Sequence, residues 1–309
     1  PNPNPNPNPN PNPNPNPEIF RILDVCCGSG VQAIAAARLW NRSADITFVD
    51  LSPRALRFSL FNAALNGCTI EGDAAPGGGG ALSGVTARAL LSDALSEVAP
   101  DPKFDLLLAN PPFVPVPPNP NPSPYGEGDG AAAALRRRYT GFADGGGSGE
   151  DVLIKILSGA TQRLRPGGVA AVVSEYFFRR GNWRRDWAQR IGVALAAGGP
   201  EAESMRSMLV CDDPPLDLDT YAQRRSGSEA EREIWRRHLE EALGLEAMAT
   251  GLLYVAKPNP NPNPKPNPNP NPRPEPRREA GLLYVAKPNP NPNPKPNPNP
   301  NPRPEPRRE

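Results

Sequence analysis

The stretch that decides the fold is Arg21-Ile-Leu-Asp-Val-Cys-Cys-Gly-Ser-Gly-Val-Gln-Ala-Ile-Ala-Ala-Ala37. Its first part, Arg21 to Cys26, mixes branched apolar side chains with one acid and predicts a strand. Gly28 and Gly30 permit a sharp turn, and the alanines that follow favour a helix. Strand, glycine turn and helix in this order form the nucleotide crevice of a doubly wound α/β sheet. The pattern Gly28-x-Gly30-x-x-Ala33 is weak by itself, so a second motif must identify the ligand.

Both ends of the chain consist mostly of alternating proline and asparagine. The alternation is strict over residues 1–17, and it returns after Lys257 with scattered Lys, Arg and Glu. Because proline lacks an N–H group and fixes φ, we expect such tracts to be extended or disordered and to bury no core. The sequence therefore predicts a disordered low-complexity segment (1–17), one α/β domain (18–257) and a disordered tail (258–309).

The charge differs between the domain and the tail. The tail contains nine Lys/Arg and four Asp/Glu, which leaves 25 basic and 29 acidic residues before it. A mildly acidic domain argues against broad clamping of a polyanion, which needs several cations on one face. Solvated surface explains most arginine clusters, but four remain candidates for RNA contacts: 136–138, 179–180, 184–185 and 236–237.

The four cysteines, Cys26, Cys27, Cys68 and Cys211, form no C-x-x-C pair and have no histidine near them in sequence. They predict neither a metal site nor a disulfide framework, and small apolar packing is their expected role. The chain contains no long apolar span and no leader pattern. We therefore expect an intracellular protein without a membrane partner, located in the cytoplasm, with an organelle as the second possibility.

A second strand is predicted over 45–50, and it ends in an acid. Asp50 lies twenty residues after Gly30, where a carboxylate can accept hydrogen bonds from both hydroxyls of a ribose. This position suits NAD and S-adenosylmethionine equally, and a carboxylate that caps the next helix is the structural alternative. That helix is predicted to start at Ser52 as N-cap with Pro53 in its first turn, and to stop at Gly67.

Two further strands lead to the motif that identifies the ligand. One is predicted over 85–91 and is followed by Asp93; the other, 104–109, is almost wholly apolar, as a buried parallel strand should be. The second of these strands runs directly into Asn110-Pro-Pro-Phe113.

On these residues the chain resembles the class I S-adenosylmethionine-dependent methyltransferases, in the "methyltransferase small domain" group with an Asn-Pro-Pro-aromatic signature. It is similar in this to N5-glutamine and N6-adenine methyltransferases. The segment 24–30 resembles the family's acid-x-Gly-x-Gly-x-Gly loop, with Cys26 in place of the first glycine, and 107–113 resembles the catalytic signature. The resemblance implies a Rossmann-like, doubly wound, mostly parallel seven-stranded sheet whose antiparallel last strand is inserted between two earlier ones.

The resemblance also implies the site. The residues expected to bind S-adenosylmethionine are Asp24, Cys26, Gly28, Gly30, Asp50, Leu51, Asp93 and Asn110. Those expected at the catalytic position are Asn110, Pro111, Pro112 and Phe113. An amide or exocyclic amine nitrogen is a poor nucleophile until its N–H groups are held. The Asn110 side-chain oxygen and the Pro111 carbonyl can accept those hydrogens, and Phe113 would offer a flat face for stacking.

Two acceptors stay open: a glutamine of a protein such as a translation release factor, and an exocyclic amine of a base in RNA or DNA. Members of the glutamine type normally carry a helical recognition domain before the catalytic one, where this chain has its Pro-Asn tract. Recognition is then either truncated or provided by a long loop predicted over 114–149, whose basic segment 136–139 is a candidate substrate contact. The rival functions are an NAD-dependent dehydrogenase and a non-catalytic binding module; the oligomeric state is open.

The rest of the domain alternates helices and strands. We predict a helix over 151–164, a strand over 169–177, a helix with Trp183 and Trp187, and a strand over 205–211. Ser228 and Glu231 predict a capping box for a helix that ends before Gly244. The strand 252–257 closes the sheet. Because residues 251–279 recur unchanged at 281–309, we expect the first copy to fill that slot and the second to stay unpaired.

Overall fold

The computed structural model describes residues 19–72, 82–118, 131–139, 142–211 and 215–259. These belong to the first of two compact units, Pro1–Pro270, and the second, Asn271–Glu309, lies outside the described residues. The strands in the described ranges are β1 (Phe20–Val25), β2 (Ala44–Asp50), β3 (Thr69–Ile70), β4 (Val85–Leu91), β5 (Phe104–Ala109), β6 (Leu164–Arg179), β7 (Arg206–Cys211), β8 (Leu216–Asp217) and β9 (Leu245–Ala256). The α-helices there are α1 (Val31–Trp40), α2 (Pro53–Leu65), α3 (Ala131–Tyr139), α4 (Asp151–Arg163), α5 (Trp183–Ala196), α6 (Leu218–Arg225) and α7 (Glu229–Arg236). A 3-10 helix, Pro200–Ser204, lies between α5 and β7, and a π-helix, Arg237–Ala242, follows α7.

The strands form one sheet in the order β3-β4-β2-β1-β5-β6-β9-β7, and β8 pairs with β9. All pairs from β3 to β6 are parallel, whereas β9 is antiparallel to both β6 and β7. The prediction of a doubly wound, mostly parallel sheet with an inserted antiparallel last strand is confirmed. Seven of its strands were expected. The two-residue strands β3 and β8 were not, because a segment of two residues shows no alternation of apolar and polar side chains.

Both faces of the sheet are covered by helices. Alternate residues of β1 point to opposite faces, so Ile22 packs with α1 and α2 while Leu23 and Val25 pack with α4 and α5. All three side chains are completely buried. Because a parallel sheet buries both faces, its strands are nearly continuous apolar runs, and β5 shows this in Phe104–Ala109. The carboxyl ends of the strands therefore lie at one edge of a rigid core.

The predicted helix starts are confirmed. The Ser52 hydroxyl accepts a hydrogen bond from the Ala55 N–H group at 3.4 Å, and the Ser228 hydroxyl accepts one from the Glu231 N–H group at 3.2 Å. The Glu231 carboxylate accepts from the N–H group of Gly227. The helix predicted to run from Ser228 to Gly244 is α7, and it continues as the π-helix.

The segment predicted as one long loop, 114–149, contains helix α3. Besides the two apolar clusters on the faces of the sheet, the described residues form a third apolar cluster. Leu135 of α3 is completely buried in it, together with Trp235 of α7 and Tyr221 of α6. Polar residues at the end of α3 form hydrogen bonds with α6 and α7. Arg138 donates to the Glu231 carboxylate at 3.1 Å, and the Tyr139 hydroxyl donates to the Arg225 carbonyl oxygen at 3.1 Å. These two side chains attach α3 to α6 and α7, and the substrate contact expected at 136–139 stays a prediction.

Strand β9 fills the slot between β6 and β7, and it includes the first copy of the repeated segment up to Ala256. The strand begins at Leu245, seven residues before the predicted start at Leu252. The second copy, and with it the predicted disorder of both Pro-Asn tracts, lies outside the described residues. No helix in the described ranges is long and apolar enough to cross a membrane.

Candidate functional site

A cavity of about 670 Å³ opens at the carboxyl ends of β1, β2, β4 and β5. This volume is in the range of sites that enclose a small molecule or cofactor. Seven residues predicted from the sequence line it: Cys26, Gly28, Asp50, Leu51, Asp93, Asn110 and Pro112. The four other predicted residues, Asp24, Gly30, Pro111 and Phe113, are not among the residues that line it.

The glycine turn between β1 and α1 forms the floor of the cavity. Gly30 has φ +77°, and a Cβ atom there would lie 2.7 Å from the Phe48 ring and 2.8 Å from the Ser59 Cβ. Gly30 therefore allows α1 to approach β2 and α2 closely. Gly28 also has positive φ, but no described heavy atom lies within 4 Å of a Cβ built on it, so its backbone is open to a ligand.

Cys26 adopts the left-handed conformation, with φ 56°, at the position where the family has its first glycine. Its side chain lines the cavity. Burial raises the pKa of its thiol to about 12, and the charges of Asp50, Asp24 and Asp93 add to this rise. Cys26 is therefore a neutral thiol at neutral pH. Its neighbour Cys27 packs in the apolar cluster of α1 and α2, as expected.

Asp24 lies beneath the glycine turn and is completely buried. One carboxyl oxygen accepts a hydrogen bond from the Ala33 N–H group in the first turn of α1, at 3.2 Å. The other oxygen is buried and has no hydrogen-bond partner among the described residues. Burial raises the pKa of Asp24 from 3.8 to about 7; the Ala33 hydrogen bond opposes this rise, and the charge of Asp50 adds to it.

Asp50 and Asp93 project from the ends of neighbouring strands into the cavity. The Asp50 carboxylate accepts from the Gly28 N–H group at 3.0 Å and from the Ser52 N–H group at 2.9 Å. It therefore connects the glycine turn to the start of α2 while it remains accessible from the cavity. Asp93 forms an ion pair with Lys155 of α4 at 2.7 Å.

The motif Asn110-Pro-Pro-Phe113 turns away from the end of β5. Asn110 is exposed at the cavity, Pro111 is buried and Pro112 is half-buried. Phe113 is also half-buried, and it packs against the third apolar cluster. The motif thus places the side-chain amide of Asn110 at the cavity and the ring of Phe113 behind it.

Sequence reasoning missed several residues of the cavity wall: Ser29, Arg54, Phe58 and, above all, Phe142. Phe142 is 84% exposed, although it is a large apolar side chain. The one signal in the sequence was an isolated aromatic residue within a glycine-rich segment. His238 is buried, and its Nε2 atom donates to the Gly147 carbonyl oxygen at 2.8 Å. In the described part of the chain, no group of three or more His, Cys, Asp or Glu is placed to hold a metal ion.

The cavity lies at the carboxyl ends of strands in a Rossmann-like sheet, which is where sheets of this type bind nucleotides. Residues 14–116 match the family model of the methyltransferase small domain. The chain is similar to the release factor glutamine methyltransferase of Koribacter versatilis, with 28% identity over 154 residues, which cover 48% of this chain and 44% of the relative. Over the matched residues the chain is similar to the class I S-adenosylmethionine-dependent methyltransferases, in the group with the methyltransferase small domain.

The match spans less than half the length of that relative. Two solved structures are similar at lower identity. A geranyl diphosphate methyltransferase solved with GPP and sinefungin is 13% identical, with 79% of this chain and 74% of that chain covered and a TM-score of 0.39. TrmN from Thermus thermophilus is 17% identical, with 77% and 44% covered and a TM-score of 0.36.

Proposed function

We propose that this chain transfers the methyl group of S-adenosylmethionine to a planar nitrogen, and that the acceptor is the side-chain amide of a glutamine in a protein. The observation that supports this most directly is the exposed Asn110 amide, which shares one cavity with Asp50 and the open glycine turn. Cofactor-binding groups and a group suited to holding an amide thus face the same space.

The residues of the cavity fit the cofactor by their chemistry. Asp50 accepts hydrogen bonds but donates none, as binding of two ribose hydroxyls requires. Asp24 does not line the cavity; beneath the glycine turn it retains one buried oxygen without a hydrogen-bond partner in the described ranges. The open space above Gly28 allows close approach to its backbone. Leu51 and Phe58 offer apolar contact to a planar base.

When bound, the cofactor supplies an activated methyl group on a sulfonium. The chain's own task is to align the acceptor nitrogen and to exclude water. The Asn110 oxygen and the Pro111 carbonyl accept the two amide hydrogens, and the two prolines keep this turn in one conformation. The chain needs no strong base at this position, because the nitrogen becomes acidic once it is methylated.

A protein acceptor is favoured over a nucleobase by two observations. The relative from Koribacter versatilis is named for glutamine in a release factor. In addition, arginines of the clusters considered for RNA contact are paired with carboxylates: Arg138 with Glu231, Arg179 with Asp186, and Arg236 with Glu233. Such pairing lowers the positive charge that a polyanion requires.

The test uses methyl-labelled S-adenosylmethionine with bacterial extract and, separately, with a purified release factor. We expect label that protease removes and nucleases do not, and one methyl on a glutamine by peptide mass spectrometry. Label that only RNase or DNase removes would contradict a glutamine acceptor and would identify a base amine as the acceptor. Absence of label from a chain that binds the cofactor by calorimetry would refute methyl transfer.

Asn110→Ala is the matched variant for the same assay. It should lower turnover by about 100-fold, on the scale of removing one precisely placed hydrogen-bonding group. Its affinity for S-adenosylmethionine, measured by calorimetry, should stay close to that of the wild type if Asn110 acts mainly on the acceptor. Calorimetry with NAD distinguishes a methyltransferase from the alternative, an NAD-dependent dehydrogenase, because only the dehydrogenase is expected to bind NAD at this glycine turn.

A further inference from the structure

Phe113 of the motif and Phe142 of the cavity wall have different environments. Phe113, the aromatic residue of the motif, is half-buried against the third apolar cluster and is not part of the cavity wall. Phe142 lines the cavity together with Asn110 and Pro112, and it is 84% exposed. The exposed aromatic side chains in the wall of this cavity, Phe58 and Phe142, therefore belong to residues outside the motif.

The turn that follows Phe142 is attached to the motif through the backbone. The Val114 N–H group donates to the Ala143 carbonyl oxygen at 2.9 Å, and the Gly145 N–H group donates to the Val114 carbonyl oxygen at 2.9 Å. A Cβ atom on Gly145 would lie 2.7 Å from the Phe113 Cα, so the two backbones are in direct contact. The backbone that directly follows Phe142 is thus held against the backbone that directly follows the motif.

His238 holds the same turn from its other side. Its Nε2 atom donates to the Gly147 carbonyl oxygen at 2.8 Å, and the histidine is only 8% exposed. It lies in the π-helix Arg237–Ala242, an irregular form of helix that is frequent at functional sites. Burial lowers the pKa of His238, which favours the neutral ring with one N–H donor.

We propose that Phe142 is an acceptor-binding residue that forms the outer wall of the site, and that His238 is a positioning residue that holds its turn through Gly147. The inference rests on the proposed function and names the group that contacts the acceptor. A planar amide held by Asn110 lies flat against an aromatic face more favourably than against solvent. Phe113 then serves to pack the motif against the third cluster.

The first experiment measures acceptor KM, kcat and cofactor affinity for Phe142→Ala, Phe142→Tyr and the control Phe61→Ala, with the purified release factor as acceptor. Phe61 is 60% exposed on α2 and is not among the residues that line the cavity. Phe142→Ala should raise the acceptor KM about fivefold to tenfold, the scale of one lost aromatic contact. Cofactor affinity should not change, and Phe142→Tyr and Phe61→Ala should behave as the wild type.

The second experiment separates positioning by His238 from general stabilisation. His238→Ala should raise the acceptor KM, and His238→Gln, which retains an N–H donor, should restore it at least in part. In the Phe142→Ala background, His238→Ala should add no further increase in KM, because it acts through the residue already removed. Hydrogen exchange at 145–149 should be faster in His238→Ala than in His238→Gln.

Each outcome has one meaning. An inactive wild type that binds the cofactor would overturn the proposed function and this inference with it. An active Phe142→Ala variant with an unchanged acceptor KM would overturn the inference alone. An additive effect of His238→Ala on KM in the Phe142→Ala background would overturn the positioning role.

Discussion

Replacement of Asp24 by asparagine has an effect on stability that can be worked out from the structure. Asp24 is completely buried, and one of its oxygens lacks a hydrogen-bond partner among the described residues. Burial raises its pKa from 3.8 to about 7. Asparagine has nearly the same shape and does not titrate, so Asp24→Asn removes this proton equilibrium and little else.

The direction in which the free energy of unfolding changes with pH follows from proton binding. Between pH 3.8 and about 7 the folded chain retains a proton on Asp24 that the unfolded chain releases, so the free energy of unfolding falls as the pH rises. Each pH unit in this window corresponds to about 1.4 kcal/mol. Integrated over the two pKa values, the wild type should lose about 3 kcal/mol relative to Asp24→Asn between pH 5 and pH 8. The variant is therefore expected to be the more stable protein at pH 8.

Urea unfolding of both proteins at several pH values from 5 to 8 measures this difference directly. Other titrating groups are common to the two chains and cancel in the comparison. A difference in unfolding free energy that stays constant over this range would refute the argument, because Asp24 would then titrate alike in the folded and unfolded chains. Carboxyl NMR of Asp24 gives the folded pKa independently.

Three further predictions concern the frame of the site. Gly30→Ala should lower the free energy of unfolding by about 2–4 kcal/mol, because its Cβ would overlap two side chains at positive φ; Gly28→Ala, with open space, should cost about 1 kcal/mol. Arg190→Ala should cost about 3–5 kcal/mol, because it leaves the buried Glu150 carboxylate without its ion-pair partner. Deletion of 280–309 should leave the melting temperature unchanged, because β9 is already paired on both sides.

Urea unfolding measures the free energy of unfolding of the substituted proteins, and calorimetry measures the melting temperature of the protein with the deletion. Arg232→Ala is the control for Arg190→Ala, because it breaks an ion pair with Asp219 at the surface and should change stability little. Equal effects of Gly30→Ala and Gly28→Ala would contradict the packing argument, and so would equal effects of the two arginine variants. A melting temperature several degrees lower after the deletion would mean that the second repeat contributes to the fold.

The fold could be predicted from the sequence because its signals are local. Apolar runs such as 104–109, a glycine turn at 28–30, and a serine cap followed by proline at 52–53 each specify the structure of a few neighbouring residues. The inserted antiparallel strand came from the resemblance to a family. The assignment of individual site residues stays a prediction, although seven of the proposed residues meet in one cavity.

What the sequence determined by itself was the order of seven strands and of five helices, α1, α2, α4, α5 and α7, and the placement of acids and Asn110 at strand ends. Only the tertiary structure decided which side chains face the cavity. Phe113 and Phe142 cannot be distinguished by local pattern, because their exposure depends on a cluster formed by α3, α6 and α7. The contact of His238 with Gly147 spans 91 residues of sequence. The burial and the hydrogen-bond partners of a side chain are properties of the packed chain. A local pattern of apolar and polar residues does not specify contacts between segments so far apart in sequence.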